Sequence, residues 1–345
     1  MLKKALCAAA AGALVVAVGA GVGAAMTTTK TGDGLRGAGS SFVSPLVSTT
    51  AQPYEDATGT HVDYNPVGSG AGIAAISNRS VEFGASDAPM TPDQFSGCNG
   101  CVQVPWALSS TSVSYNLPGA PPHLRISGPV LANIYLGSVT KWNDQAIKAL
   151  NPGVILPDTS ITPIFRSDGS GTTYNFTDYL ASVSPAFKSK VGVGTQVNFP
   201  TGTSGRGSAG VSAVLARTPG GITYVDIAFA LRSHFSFFRV RNAAGVYQLP
   251  GARGINAAAA TVKKVRADNN LSIVNPPKSA KLAYPICTFT YIILPTKTPN
   301  AAPLRKYVYW VMTNGTKKYG AKLLFEPVPK VVLKAANSTL RKVQS

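Results

Sequence analysis

The sequence predicts an α/β protein. Apolar strand-like runs alternate with helix-like ones from Leu35 to the C-terminus. A chain of 345 residues exceeds a typical single compact unit and suits two lobes. The 34 glycines and 25 prolines put many turns and short connections between the elements. With 45% hydrophobic and 13% charged residues, the chain can bury a large core, which excludes global disorder. There is no internal repeat and no long low-complexity linker, so two lobes must be intimately connected.

In chain order, residues 43–59 (VSPLVSTTAQPYEDATG) read as a helix, with Pro45 in the first turn and Gly59 at the stop. HVDYN reads as a strand, AGIAAISNR as a helix and VEFGAS as a strand. VQVPW and TSVSYN read as two strands, and PVLANIYLG and AIKALN as helices. ITPIFR, GITYV and YPICTFTYIIL read as strands, and LRKYVYWVM and KVVLKAANSTLRKV as helices.

The N-terminus indicates export. Lys3 and Lys4 precede an apolar run that ends in small residues, the pattern of a secretory signal peptide over residues 1–25 with cleavage after Ala25. The alternative, a transmembrane anchor, is disfavoured by the Ala/Gly content and the small-residue end. Residues 26–33 read as a flexible lead-in. Cys7 precedes the apolar core and so does not match a lipidated cysteine. The mature chain would keep Cys98, Cys101 and Cys287. C-x-x-C can be a redox motif or half a zinc site, but CNGC lies in a polar loop of an exported chain with no second pair. A loop-pinning disulfide between Cys98 and Cys101 is therefore expected. Cys287, in an apolar run, reads as a buried small residue.

The formal net charge is +18, and Thr261–Ser345 holds 15 Lys/Arg against Asp268 and Glu326. Such basicity suits nucleic acid, anionic surfaces or anionic ligands, and export argues against nucleic acid.

Three places share one design: a strand-like run, a small polar turn, then a helix start. They are GAGSSF (37–42), GSGAG (68–72) and DGSGTT (168–173). Helix N-termini expose unpaired N–H groups, and Ser or Thr adds hydroxyl donors. Three converging ends would make an anion cage of neutral donors. One such turn alone is most often a cap. Arg166, just before the third, adds a permanent charge that forks onto two oxygens of a tetrahedral anion. Asp87 ends an apolar strand. It could cap the following TPDQ turn, or it could accept a hydrogen bond from an anion that still carries a proton. Phosphate at neutral pH carries one and sulfate does not, so such a carboxylate would reject sulfate. Asp168 is placed to hold the Arg166 guanidinium.

Hydrolysis finds poor support. Neither Ser69 nor Ser170 sits in G-x-S-x-G, and GTSGR (202–206) ends in Arg206. His61, His123 and His234 lack metal-ligand spacing, so no metal or cofactor is expected. No Walker A motif is present. A phosphatase, or a basic protein binding anionic surfaces, stands as the alternative to a carrier.

GAGSSF, VGSGAG, VEFGASDAP, YLGSVTKWND, RSDGSGTTYNFTDYL, GGITYVDIAFA and YPICTFTYIIL resemble, in order and spacing, the phosphate-binding proteins of high-affinity phosphate ABC importers. The resemblance runs from about Leu35 to the C-terminus. It implies a type II periplasmic-binding-protein fold, with two α/β lobes, two hinge strands and an interlobe cleft. Carried over, Ser41, Phe42, Ser69, Asp87, Arg166, Ser170, Gly171 and Thr172 would bind phosphate, with Asp168 as the Arg166 partner. The hinge crossings would fall near Thr111–Asn116 and Cys287–Ile293. Lobe 1 would be residues 34–112 plus 288–345, and lobe 2 residues 113–287. A monomer that captures inorganic phosphate outside the membrane and passes it to permease and ATPase subunits is the implied function. The family's Gram-positive members often carry a lipid-anchoring cysteine at the end of the signal, and this chain has none there.

Overall fold

The computed structural model describes residues 34–345, so the expected signal peptide and lead-in lie outside the described residues. The strands are β1 Leu35–Gly39, β2 Val62–Asn65, β3 Phe83–Ser86, β4 Cys101–Asn116, β5 Arg125–Ile126, β6 Thr162–Arg166, β7 Thr203–Gly205, β8 Gly221–Asp226, β9 Ser236–Phe237, β10 Arg239–Arg241, β11 Tyr247–Gln248, β12 Ile273–Val274 and β13 Ile286–Pro295. The α-helices are α1 Ser44–Thr58, α2 Ser69–Ser77, α3 Pro92–Gly97, α4 Gly128–Tyr135, α5 Gln145–Lys148, α6 Gly171–Val183, α7 Pro185–Lys190, α8 Gly207–Ala216, α9 Ile227–Arg232, α10 Ala252–Ala259, α11 Ala301–Trp310 and α12 Lys330–Leu340.

One path of hydrogen-bonded strands runs β2-β1-β3-β13-β4-β8-β6-β7. The β1–β2 and β1–β3 pairs are parallel, as are β6–β7 and β6–β8, each joined through helices as parallel pairing requires. Between these two parallel groups run the antiparallel strands β13 and β4. The half of β4 from Cys101 to Ser110 pairs with β13, and the half from Thr111 to Asn116 pairs with β8. A single strand therefore belongs to both groups and changes partner at Ser110/Thr111. A small sheet, β11-β10-β5, stands apart.

The sequence reading splits β4 into two strands, VQVPW and TSVSYN, with residues 107–110 left between them. The structure keeps it whole with a bulge. Thr290 pairs with Ala107 and Tyr291 with Pro105, which leaves Trp106 as the extra residue opposite the step. The TPDQ stretch, read as a turn, is instead the start of α3. Thr91 accepts the Gln94 N–H at 3.2 Å, and the Gln94 side chain accepts the Thr91 N–H at 2.9 Å, a reciprocal cap. The cap of that helix is thus Thr91 and not Asp87.

Packing follows from the pattern. Every residue of β13 is buried, as expected of a strand covered on both faces. Phe83, Trp106 and Tyr307 meet in edge and tilted contacts, and Tyr115, Trp142 and Phe238 form a second aromatic cluster. Cys98 and Cys101 are joined in a disulfide, and Cys287 is buried and free. No helix among the described residues is long and apolar enough to cross a membrane.

Candidate functional site

The three Gly/Ser turns lie at the C-terminal ends of β-strands, where α/β sheets leave room for ligands. The first follows β1. Gly39 has φ +144°, and a Cβ there would lie 2.1 Å from the Ala85 carbonyl oxygen, so only glycine lets the chain leave the sheet this close to β3. Ser40 then turns back. Its Oγ accepts from the Phe42 N–H at 3.0 Å and donates to Asp87 Oδ2 at 2.5 Å. The second turn starts α2 at Ser69, with Gly68 as its N-cap. The third starts α6 at Gly171, with the Ser170 hydroxyl accepting the Thr173 N–H at 3.2 Å.

The turns converge. Ser69 Oγ accepts the Gly171 N–H at 3.1 Å and lies 3.4 Å from the Asp87 N–H. Asn175, one turn into α6, donates to the carbonyls of both Asp87 and Gly171 at 2.8 Å. Gly70 N–H donates to the Gly169 carbonyl at 3.0 Å. Ser41 Oγ accepts the Ser208 N–H at 3.0 Å, which draws the start of α8 into the same place. Ser41, Phe42, Ser69, Asp87, Arg166, Ser170 and Thr172 are all at most 5% exposed.

Three ionisable groups, Arg166, Asp168 and Asp87, define the electrostatics. Arg166, at the end of β6, donates from Nε to Asp168 Oδ1 at 2.7 Å and from Nη2 to Asp168 Oδ2. Asp168 also accepts the Gly207 N–H at 2.9 Å. Burial works against the Asp168 carboxylate, but the Arg166 hydrogen bonds and charge outweigh it and hold its pKa below the ordinary value. A fork held by a carboxylate on one edge presents its remaining N–H groups in a fixed direction. Asp87, at the end of β3, is 1% exposed. Burial pushes its carboxyl up to about 6, against the pull of Ser40, Thr290 and the Arg166 charge. At neutral pH it is therefore chiefly an acceptor.

Among the described residues, Asp87 Oδ1 and Thr172 Oγ1 are buried without a hydrogen-bond partner. Unpaired buried polar atoms are costly, by about 1–3 kcal/mol each. A protonated oxyanion would satisfy both kinds of atom: its O–H donates to the carboxylate, and its oxygens accept from the hydroxyl, the backbone N–H groups and the guanidinium. The histidines stand elsewhere. His61 pairs with Glu55 in an exposed position, and His123 meets the Phe237 carbonyl.

Sequence reasoning passed over Ser40, Asn175, Ser208, Tyr224 and Asp226. Tyr224 OH accepts the Arg166 N–H at 3.2 Å and exchanges a hydrogen bond with Thr173 at 2.8 Å, tying β8 to the third turn. The signal for Ser208 was present: TSG-R-GS repeats the strand, glycine–serine turn and helix start of the other three places.

The architecture is that of a two-lobed periplasmic-binding-protein domain, with strands shared between two α/β groups. A family model described as a PBP superfamily domain matches residues 24–314. The phosphate-binding protein PstS of Xylella fastidiosa is 40% identical over 305 residues, which cover 87% of this chain and 83% of that relative. Its counterpart from Pasteurella multocida is 35% identical over 304 residues, 87% of each chain. The solved structure of a phosphate-binding protein from Stenotrophomonas maltophilia shares the fold with a TM-score of 0.71 at 19% identity, covering 88% of this chain and 93% of that one. The chain belongs to the PstS phosphate-binding protein family of the PBP superfamily.

Proposed function

We propose that the protein captures inorganic phosphate in the cleft where the three turns meet and delivers it, unchanged, to an ABC-type phosphate importer. The observation that carries this reading is the pairing of one buried acceptor carboxylate, Asp87, with one buried guanidinium, Arg166, among neutral donors. Ser41, Ser69, Ser170 and Thr172 would supply hydroxyls, and Phe42 and Gly171 backbone N–H groups that turn to the anion from Ser40 and Ser69. Asp168 keeps Arg166 aimed. The lobes would be residues 34–112 plus 288–345 and residues 113–287, with β4 and β13 as the hinges.

Closure is the output of such a site. Phosphate touching both lobes binds the closed state better than the open one and shifts the population toward it. A permease with its ATPase subunits would read that closed form on the outer side of the membrane, with the carrier acting as a monomer. Nothing in the cleft supplies an activated nucleophile. Ser69 and Ser170 accept backbone N–H groups, and no histidine is placed beside them.

Calorimetric titration of phosphate-stripped protein, with phosphate and then sulfate at two salt concentrations, tests the reading. Tight one-to-one phosphate binding, nearly independent of salt and with no sulfate response, is expected, because most donors are neutral and buried. Weak, salt-dependent binding of both anions would replace it with a basic-surface function.

A further inference from the structure

Direct anion binding does not by itself require the Ser41–Ser208 contact. Ser41 lies on the turn after β1, and Ser208 is the second residue of α8, 167 positions later. Both are buried, at 5% and 1% exposure. Two interactions join them: the Ser208 N–H donates to Ser41 Oγ at 3.0 Å, and the two hydroxyl oxygens are 3.0 Å apart.

A serine hydroxyl has two acceptor sites and one proton. The Ser208 N–H fills one acceptor site of Ser41. In the hydroxyl–hydroxyl contact one oxygen donates to the other. If Ser41 donates, its only proton is spent on Ser208. If Ser208 donates, both acceptor sites of Ser41 are filled and its proton is free for a third partner. An anion beside Ser41 favours the second arrangement, because an anion needs donors.

We propose that Ser208 is a positioning residue for phosphate capture, which on closure fills both acceptor sites of Ser41 and thereby aims the Ser41 O–H at the bound anion. This rests on the phosphate-binding reading above. Closing the lobes and completing the anion's donor set become one event, because the residue that directs Ser41 comes from the opposite lobe. Each hydrogen bond in the Ser208–Ser41–anion chain points the same way, so each polarises the next.

The residue behind Ser208 fits this direction. Asp226, at the end of β8, is fully buried, and its Oδ1 accepts the Phe229 N–H at 2.9 Å. Among the described residues its Oδ2 has no hydrogen-bond partner. Burial pushes the carboxyl up to about 8, partly opposed by the Phe229 N–H and the nearby Ser208 and reinforced by the charge of Asp87. Burial thus favours the neutral acid, which draws the Ser208 proton less strongly than a carboxylate would.

A double-mutant cycle on phosphate affinity tests the proposal, with wild type, Ser208→Ala, Ser41→Ala and the double variant titrated calorimetrically. Ser208→Ala is expected to weaken binding at least fivefold in the wild-type background and by less than twofold once Ser41 is alanine, since its effect runs through Ser41. Ser208→Cys, which keeps the shape with a weaker donor, should weaken binding in the same direction; melting curves establish that each variant is folded. Equal losses from Ser208→Ala in both backgrounds would overturn the proposal, as would wild-type affinity in Ser208→Ala. Failure of the wild-type protein to bind phosphate would instead remove the functional reading and this role with it.

Discussion

The Ser69 hydroxyl oxygen accepts the Gly171 N–H at 3.1 Å, joining the first residue of one helix to the first residue of another 102 positions away. Gly171 is there for space. A Cβ on it would lie 2.7 Å from both the Asp87 and the Ala88 nitrogens. Backbone cannot yield as a side-chain tip can, so Gly171→Ala must push α6 away from β3. The substitution should weaken phosphate binding at least tenfold, roughly 1.4 kcal/mol, and should also lower the melting temperature, because overpacking against buried backbone costs about 1–3 kcal/mol. Calorimetry with a parallel melting curve checks this; unchanged affinity would mean that the two segments are not in contact in the bound state.

Asp87 should govern the choice between anions through its charge. Its carboxyl is pushed up to about 6. Above that pH it is an acceptor that repels an anion without a proton to give; below it, it carries its own proton and becomes a donor. Rejection of sulfate should therefore be strong at pH 7.5 and fade as the pH falls through about 6. Asp87→Asn should show weak rejection at every pH, with phosphate binding less affected than selectivity. Competition titrations at pH 5, 6 and 7.5 measure this, and a wild-type ratio that does not move with pH would discard the acceptor role.

Arg166 carries the cleft's cationic charge, and its fork is aimed by Asp168. Arg166→Ala should cost about 1.5–3 kcal/mol of binding or more, the scale for losing a charged hydrogen-bonding partner from a desolvated site. Arg166→Lys should recover only part of this, because an ammonium cannot engage Asp168 and the anion as a planar fork does. Near-wild-type affinity in Arg166→Ala would refute the clamp.

Asp226 links the cleft to stability. Its carboxyl is raised from an ordinary 3.8 to about 8, so between these values the folded chain holds a proton that the unfolded chain has released. That contribution to stability is complete below about pH 4 and is lost as pH rises through about 8. Asp226→Asn keeps a helix-capping oxygen and has no such proton. The melting temperature of the variant relative to wild type should rise from pH 5 to pH 8 and then level off. A difference that is flat with pH would place the Asp226 carboxyl near its ordinary range.

The Cys98–Cys101 bridge should matter little to binding. It closes a short loop, which limits its chain-entropy effect to about 2 kcal/mol. Arg79 already holds that loop, donating to the Cys98 carbonyl at 3.0 Å and the Asn99 carbonyl at 2.9 Å. Replacing both cysteines by serine should lower the melting temperature by about 2–5 °C and leave phosphate affinity within twofold. A large loss of affinity would show that the loop reaches the cleft.

What the sequence made legible, and what it did not, follows the range of the interactions. Helix starts after Gly/Ser turns, the stop at Gly59 and the apolar run of β13 are local, and local chemistry specifies them. Arg166 and Asp168 are two residues apart, so their pairing could be read from spacing. The continuity of β4 could not, because residues 107–110 join the two runs only when β13 pairs along them and Trp106 bulges out. Ser40 was hidden by its neighbour: in GAGSSF either serine could face Asp87, and only the backbone path after Gly39 selects the first. Ser208 is 167 positions from Ser41, and Asp226 reads as an ordinary helix cap for Phe229; both residue types are common in turns and caps.

The place of β13 in the sheet also bears on how the molecule comes to exist. Residues 286–295 fill the slot between β3, residues 83–86, and β4, residues 101–116. A chain made from its N-terminus forms β1, β2 and β3 early, but the strand that binds them to the rest emerges among the last. The amino-terminal third must wait, incomplete, for nearly the whole polypeptide. Such long-range pairing slows folding, because the loop must be closed before its contacts are gained. Until residues 286–295 are made, β3 therefore keeps an unpaired edge.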